Sequence, residues 1–223
     1  DGGVHGHINH MLAATQIFTA LNIPVTIHAI TDGRDVSPTS AKDYFKTLEK
    51  NLPNGARIGT VIGRYFALDR DNRWERIQTA FAAISNAEGP KGATPNAIIE
   101  QAYTTGKTDE FIPASVIGDY AGLMPEDGLF CLNFRADRAR EILAALCDPS
   151  FAEFDTGPRP NLAAKLGMVC YSDSHDAYLT AAFPKRNIPN CLGTWVAKHG
   201  KRQFRLAETE KYPHVTFFMN GGQ

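Results

Sequence analysis

Residues 25–35 read V-T-I-H-A-I-T-D-G-R-D, and this stretch decides the fold. Val25, Ile27 and Ile30 form an apolar, β-branched run that stops at Thr31-Asp32-Gly33-Arg34-Asp35. Pro38 and a helix-like segment follow. The order predicts a strand, a tight polar loop and a helix. In open α/β sheets, ligands sit beyond the carboxyl ends of the strands. The loop puts the guanidinium of Arg34 beside the carboxylate of Asp35 at such an end. A guanidinium fork binds phosphate or carboxylate at two points, and a neighbouring carboxylate can move a proton. The plain alternative is an Arg–Asp pair that only closes a loop, since exposed ion pairs are common and contribute little.

Upstream, Met11, Leu12, Thr15, Phe18 and Leu21 recur at helical spacing, which predicts a helix running to about Asn22. Downstream, Ser40 to Asn51 is helical, with Tyr44, Phe45 and Leu48 on one face. Ile58–Ile62 is a second strand, ending at Gly63-Arg64-Tyr65. Trp74, Ile77, Phe81 and Ile84 mark the apolar face of the next helix. Pro95–Thr105 is a shorter helix stopped by Gly106. Residues 108–127 read as irregular. Leu129–Phe134 is a third strand, ending at Arg135-Ala136-Asp137-Arg138, and a helix then runs to about Cys147. Pro149–Lys165 is loop-rich and is the best internal linker, although one domain over residues 1–223 is preferred. Gly167–Tyr171 reads as a strand, Cys191–His199 as a helix, and Gln203–Leu206 and His214–Met219 as the last two strands. The alternation predicts an α/β three-layer sandwich: a mostly parallel or mixed central sheet with helices on both faces.

One pattern repeats. Arg34 follows the first strand, Arg64 and Arg70 the second, and Arg135 and Arg138 the third. Parallel strands would bring these loops out along one edge. Asp35, Asp69, Asp71 and Asp137 offset part of the charge. The remainder suits a small, multiply charged anion, with phosphate and carboxylate the natural candidates. The net charge is −1, so no general polyanion-binding field is expected, and a nucleic-acid partner is not. No apolar run approaches the roughly 20 residues of a membrane helix.

H-G-H-I-N-H (His5 to His10) resembles a metal cluster, and His5, His7 and His10 could serve a metal-dependent hydrolase. No second histidine cluster or acidic ligand set accompanies them, and a site needs about three or four protein ligands. His5 as a hydrogen-bonding group to an anion is the better reading, with His7 and His10 structural. Cys131, Cys147, Cys170 and Cys191 are far apart, which suits a reducing cytoplasm. No P-loop, G-x-G-x-x-G or G-x-S-x-G occurs. Acid–base and anion-binding residues are present, but no convincing nucleophile is. A non-catalytic anion-binding module is a further alternative. The glycine-rich ends, 1–3 and 220–223, look like hinge remnants of a larger two-domain protein.

Five stretches carry a resemblance: D-G-G-V-H-G-H (Asp1–His7), T-D-G-R-D (Thr31–Asp35), G-R-Y-F-A-L-D-R-D-N-R-W-E-R (Gly63–Arg76), N-F-R-A-D-R (Asn133–Arg138) and A-E-T-E-K-Y-P-H-V-T-F-F-M-N-G-G (Ala207–Gly222). In this order they resemble the cofactor-independent phosphoglycerate mutases, and only their inserted substrate-binding, or phosphotransferase, domain. The resemblance implies a partner domain of the same protein, alkaline-phosphatase-like, with two Mn2+ and a serine that carries the phosphate between 3-phosphoglycerate and 2-phosphoglycerate. It implies that His5 contacts the phosphoryl group. Arg34 and Asp35 would hold the glycerate, with Asp35 handling its hydroxyl protons. Arg64 and Arg70 would bind substrate, and Arg135 and Arg138 would clamp carboxylate and phosphate. Lys211 would neutralise phosphate charge near the domain junction. No metal is expected in this chain, which alone is expected to be inactive. Gly6 and Leu68 depart from the resembled pattern, which has Ser and Tyr or Met there.

Overall fold

The structure is a computed structural model describing residues 2–185 and 188–221. Asp1, Gly222 and Gln223, part of the expected hinge ends, lie outside the described residues. The chain forms two compact units, residues 1–183 and 184–223.

The first unit is α/β. Its elements are α1 (Ile8–Ala20), β1 (Val25–Thr31), α2 (Ala41–Asn51), β2 (Ala56–Gly63), α3 (Arg64–Ala67), α4 (Trp74–Asn86), β3 (Lys91–Gly92), α5 (Pro95–Thr104), β4 (Ser115–Ile117), β5 (Gly128–Cys131), α6 (Ala136–Cys147), β6 (Ala164–Val169) and β7 (Thr180–Phe183). They build two sheets, β1-β2-β4-β3 and β5-β6-β7. The first is mixed, because β4 runs antiparallel to β2; the second is parallel.

The period-two alternation of a strand sends successive side chains to opposite faces. Ile27, Ala29 and Val61 therefore pack against Phe45 and Leu48 of α2 and Ile98 and Ile99 of α5. Ile30 and Ile62 face the other way, onto Ile77, Phe81 and Ile84 of α4 and Ile142 and Leu143 of α6. Helices thus cover both faces of the first sheet.

Several expectations need correction. β5 pairs with β6 and not with β1, so the three arginine loops come from two sheets. β5 also stops at Cys131, three residues before Phe134, and β6 begins at Ala164 and ends at Val169, where Gly167–Tyr171 was expected. Residues 108–127 hold a 3-10 turn (Asp109–Phe111) and β4, whose three residues are too few to show a period. The four-residue α3 and the short β3 and β7 are additional for the same reason.

The second unit contains α7 (Leu192–Lys198), a 3-10 turn (Thr209–Lys211) and a π-helical turn (His214–Phe218). Gln203–Leu206 and His214–Met219 are not strands here. A strand needs a neighbour for its backbone groups, and Phe204 and Leu206 are 87% and 81% exposed, with no ladder formed among the described residues of this unit.

One partly buried residue of β1 gives a pH signature. The Nδ1 of His28 on β1 lies 3.0 Å from Thr60 Oγ1, and its ring packs edge-on against Tyr120. Burial pushes its pKa from 6.5 down to about 4. The unfolded chain then binds a proton that the folded chain refuses. Stability is therefore full above pH 6.5 and falls towards pH 4, by up to about 1.4 kcal/mol per pH unit and about 3 kcal/mol in all. Urea unfolding at pH 7 and pH 5 should show this slope in the parent, and His28→Leu should flatten most of it. An unchanged slope in the variant would assign the effect elsewhere.

Candidate functional site

The loop after β1 is shaped by Asp32. Its Oδ1 accepts the amide hydrogens of Arg34 and Asp35, both at 3.1 Å, and so folds T-D-G-R-D into a tight turn. Gly33 sits at φ +66°, and a Cβ there would lie 2.8 Å from Asp109 Cβ and Glu110 N, so glycine alone fits. Arg64 opens α3 directly after β2 and is 5% exposed. Its Nη1 donates to Asp32 Oδ1 and to Asp35 Oδ2, each at 2.6 Å.

His5, 7% exposed, joins this group: its Nε2 is 3.0 Å from Asp35 Oδ2. The hydrogen bond from Arg64 holds the Asp35 carboxyl below its ordinary range, and His5 adds to that effect. For Asp32, burial raises the pKa, but the amide of Asp35 and the guanidinium of Arg64 outweigh it and the net direction is down. Burial and then the Arg64 charge lower His5. Asp35 is therefore a carboxylate and His5 a neutral imidazole whose Nε2 carries the proton. His5 Nδ1 is left as a buried acceptor with no partner.

The second half of the site comes from the loop after β5 and from α6. The carbonyl of His5 accepts the amides of Phe134, at 2.8 Å, and Arg135, at 3.4 Å. Asp137 bridges two arginines, with Arg135 Nε at 2.8 Å and Arg70 Nη1 at 2.8 Å. Burial raises Asp137, yet these two arginines win and hold it below its usual range. Arg138 Nη1 donates to the carbonyl of Leu68 at 3.1 Å, while its Nε is buried without a partner. Burial lowers the Arg138 pKa, and the charges of Arg70, Arg64 and Arg135 lower it further. That mutual repulsion is the electrostatic mark of convergence: the arginines of both loops feel one another. Arg34 is 64% exposed, and its nearest carboxylate is Glu110, at 3.6 Å.

Seven of the eight expected residues thus gather in the first unit. Lys211, the eighth, lies exposed in the 3-10 turn of the second unit. His7 and His10 do not join His5. The Nδ1 of His7 accepts the amide of Asn9 and caps α1, and the ring of His10 packs against His7 and Phe134. Among the described residues no three His, Cys, Asp or Glu side chains are grouped to hold a metal ion.

Sequence reasoning missed several supports. Asp69 Oδ2 accepts the amides of Asp71 and Arg73, and Glu141 accepts that of Asn72, so two carboxyls fix the loop carrying Arg70. Asp32 was visible one residue after the strand, and its turn-forming position was the available signal. A cleft of about 1240 Å3 adjoins the site, lined by both β1 and β5 and reaching His5 and Asp32.

Residues 1–173 match the family model described as the BPG-independent PGAM N-terminus. The chain belongs to this family. It is 63% identical over its whole length to the 2,3-bisphosphoglycerate-independent phosphoglycerate mutase of Ruegeria pomeroyi, and 60% identical to that of Dinoroseobacter shibae. It spans 44% of the length of each of these relatives. A crystal structure of Leishmania mexicana phosphoglycerate mutase, solved at low cobalt concentration, superposes with a TM-score of 0.78 at 25% identity, covering the whole of this chain and 43% of that one.

Proposed function

We propose that this chain is the substrate-binding part of a phosphoglycerate mutase that interconverts 3-phosphoglycerate and 2-phosphoglycerate in glycolysis and gluconeogenesis, in the cytoplasm. The carrying observation is the crowding of charge: Arg64 and Arg135 act on His5, Arg70, Arg64 and Arg135 act on Arg138, and Arg138 Nε and His5 Nδ1 are buried and unpartnered. Repelling cations gathered at one site are relieved by an anion. Phosphoryl transfer asks this side of the reaction for positioning and charge neutralisation.

In this reading Arg135 and Arg138 take the carboxylate and phosphate ends of the substrate, and Arg34 closes over it. Arg70 adds charge through Asp137. Asp35 Oδ2 is occupied by Arg64 and His5, while Oδ1 has no partner among the described residues. Oδ1 is the atom that would accept and return the hydroxyl proton of glycerate. Lys211 would neutralise phosphate charge. The serine and the two Mn2+ implied by the resemblance would belong to the partner domain outside this chain, and no step here depends on a metal held by this chain. The chain alone would then bind without turning substrate over.

The test is an NMR titration of the chain with 3-phosphoglycerate, with inorganic phosphate as control. Shifts at Arg34, Asp35, Arg135 and Arg138 that favour 3-phosphoglycerate are expected, and Arg135→Ala should weaken binding at least tenfold, about 1.4 kcal/mol. Equal response to both anions would reduce the site to a generic anion patch.

A further inference from the structure

The loop bearing Arg34 and Asp35 joins β1 to α2 over residues 32–40, and α2 lacks a side-chain cap from its own N-cap residue. Ser40 occupies the N-cap position, but its hydroxyl donates to the carbonyl of Ser37, at 2.7 Å, and caps no helix amide. The first amides of a helix need acceptors. Here a residue far along the chain supplies one: Asp109 Oδ2 accepts the amides of Ser40 and Ala41, each at 2.8 Å. Its Oδ1 accepts the hydroxyl of Tyr103 at 2.5 Å. Burial and the carboxylate beside it push the Tyr103 hydroxyl pKa up, so it stays a donor.

The main chain of the same residue holds the other points of the loop. The amide of Asp109 donates to the carbonyl of Pro38 at 2.8 Å, and its carbonyl accepts Thr31 Oγ1 at 2.7 Å. Asp109 is 1% exposed, and Gly33 packs against its Cβ. The neighbouring residues reach the site as well. Glu110 faces Arg34, and the carbonyl of Ile112 accepts the amide of Gly63, the residue before Arg64, at 2.8 Å.

We propose that Asp109 is a positioning residue of the anion site: it clamps the 32–40 loop at both ends and thereby places Asp35 against Arg64 and Arg34 beside Glu110. It touches no substrate in this role. The inference rests on the reading of Asp35 and Arg34 as substrate groups, but its physical content is the geometry of the loop.

The experiment follows the carboxyl carbon of Asp35 by NMR through a pH titration, in the chain without ligand, and then measures affinity for 3-phosphoglycerate. In Asp109→Ala, the loop is expected to leave Arg64, so Asp35 titrates about one pH unit higher than in the parent, and binding weakens at least tenfold. Asp109→Asn keeps an oxygen for Ser40 and Ala41 and should restore both values. A residue that merely stabilised the fold would lower the melting temperature while leaving the Asp35 titration and the affinity unchanged, and that result would overturn the proposal. Where Asp109→Ala does not fold, Thr31→Val decides, because it removes the bond from Thr31 Oγ1 to the Asp109 carbonyl at the start of the loop: a raised Asp35 titration supports the clamp, and an unchanged one overturns it. A parent chain that binds no 3-phosphoglycerate would remove the substrate reading alone, because the Asp35 titration needs no ligand.

Discussion

Replacing Arg64 with methionine is expected to lower the unfolding free energy at pH 7 by about 3 kcal/mol. The Arg64 side chain is 5% exposed, and one nitrogen serves two carboxylates. Methionine fills much of the volume but leaves Asp32 and Asp35 facing each other without a cation. Removing one member of a buried pair costs about 3–5 kcal/mol. The lower end applies because the two aspartates are 25% and 30% exposed and water relieves part of the charge. The sign of the pH dependence should also change for this pair. With Arg64 in place both carboxyls are held below their ordinary range, so their stabilisation is present above that range and is lost only in stronger acid. Without it, each carboxylate raises the pKa of the other, and protonation relieves their repulsion. The destabilisation should therefore be smaller at pH 5 than at pH 7. Urea unfolding of parent and variant at both pH values measures this, and His28 contributes equally to each and cancels. A variant within about 1 kcal/mol of the parent at pH 7 would show that Arg64 does not hold the loop.

Asp35→Asn should act on turnover more than on stability. Asparagine matches the shape and can still accept a hydrogen bond from Arg64, but it cannot take a proton. In the full-length protein kcat is expected to fall by about 10^2 to 10^4, the usual worth of a general acid–base group, while KM changes by less than about fivefold. A parallel rise in KM with little loss of kcat would make Asp35 a binding group only. Because Arg64 holds Asp35 low, its ionisation should leave the parent rate flat from pH 7 down to about pH 5.

The part of the site that was legible in the sequence is the part encoded locally. An apolar run ending in T-D-G-R-D shows a strand and a charged loop, because alternation and turn residues act over a few positions. Repetition of arginine after three strands then points to one anion site. The Asp109 clamp was not legible: its partners Ser40 and Ala41 lie 69 and 68 residues away, and no local pattern marks that meeting. The internal occupation of Arg64 was hidden for a similar reason. As a residue type it suits a ligand, and only the structure shows that two aspartates hold it. β3, β4 and β7, of two to four residues, are too short to show a period, whereas the four-residue β5 sits in the longer apolar run 129–134; the final two expected strands have the pattern but no neighbour to pair with among the described residues.

His5 is the one expected site residue that hydrogen-bonds to the loops of both sheets. Its imidazole meets Asp35 behind β1, and its carbonyl meets the amides behind β5. β1 and β5 each end their own sheet, with a cleft lined by both. Mechanically, two plates are riveted at His5, at Arg70–Asp137 and at Arg138–Leu68. Arg34 and Arg64 ride on one plate, Arg135 and Arg138 on the other. The reach of His5 from carbonyl to ring, together with the Arg70–Asp137 and Arg138–Leu68 bonds, then acts as a ruler for the spacing between the two groups of guanidinium charges.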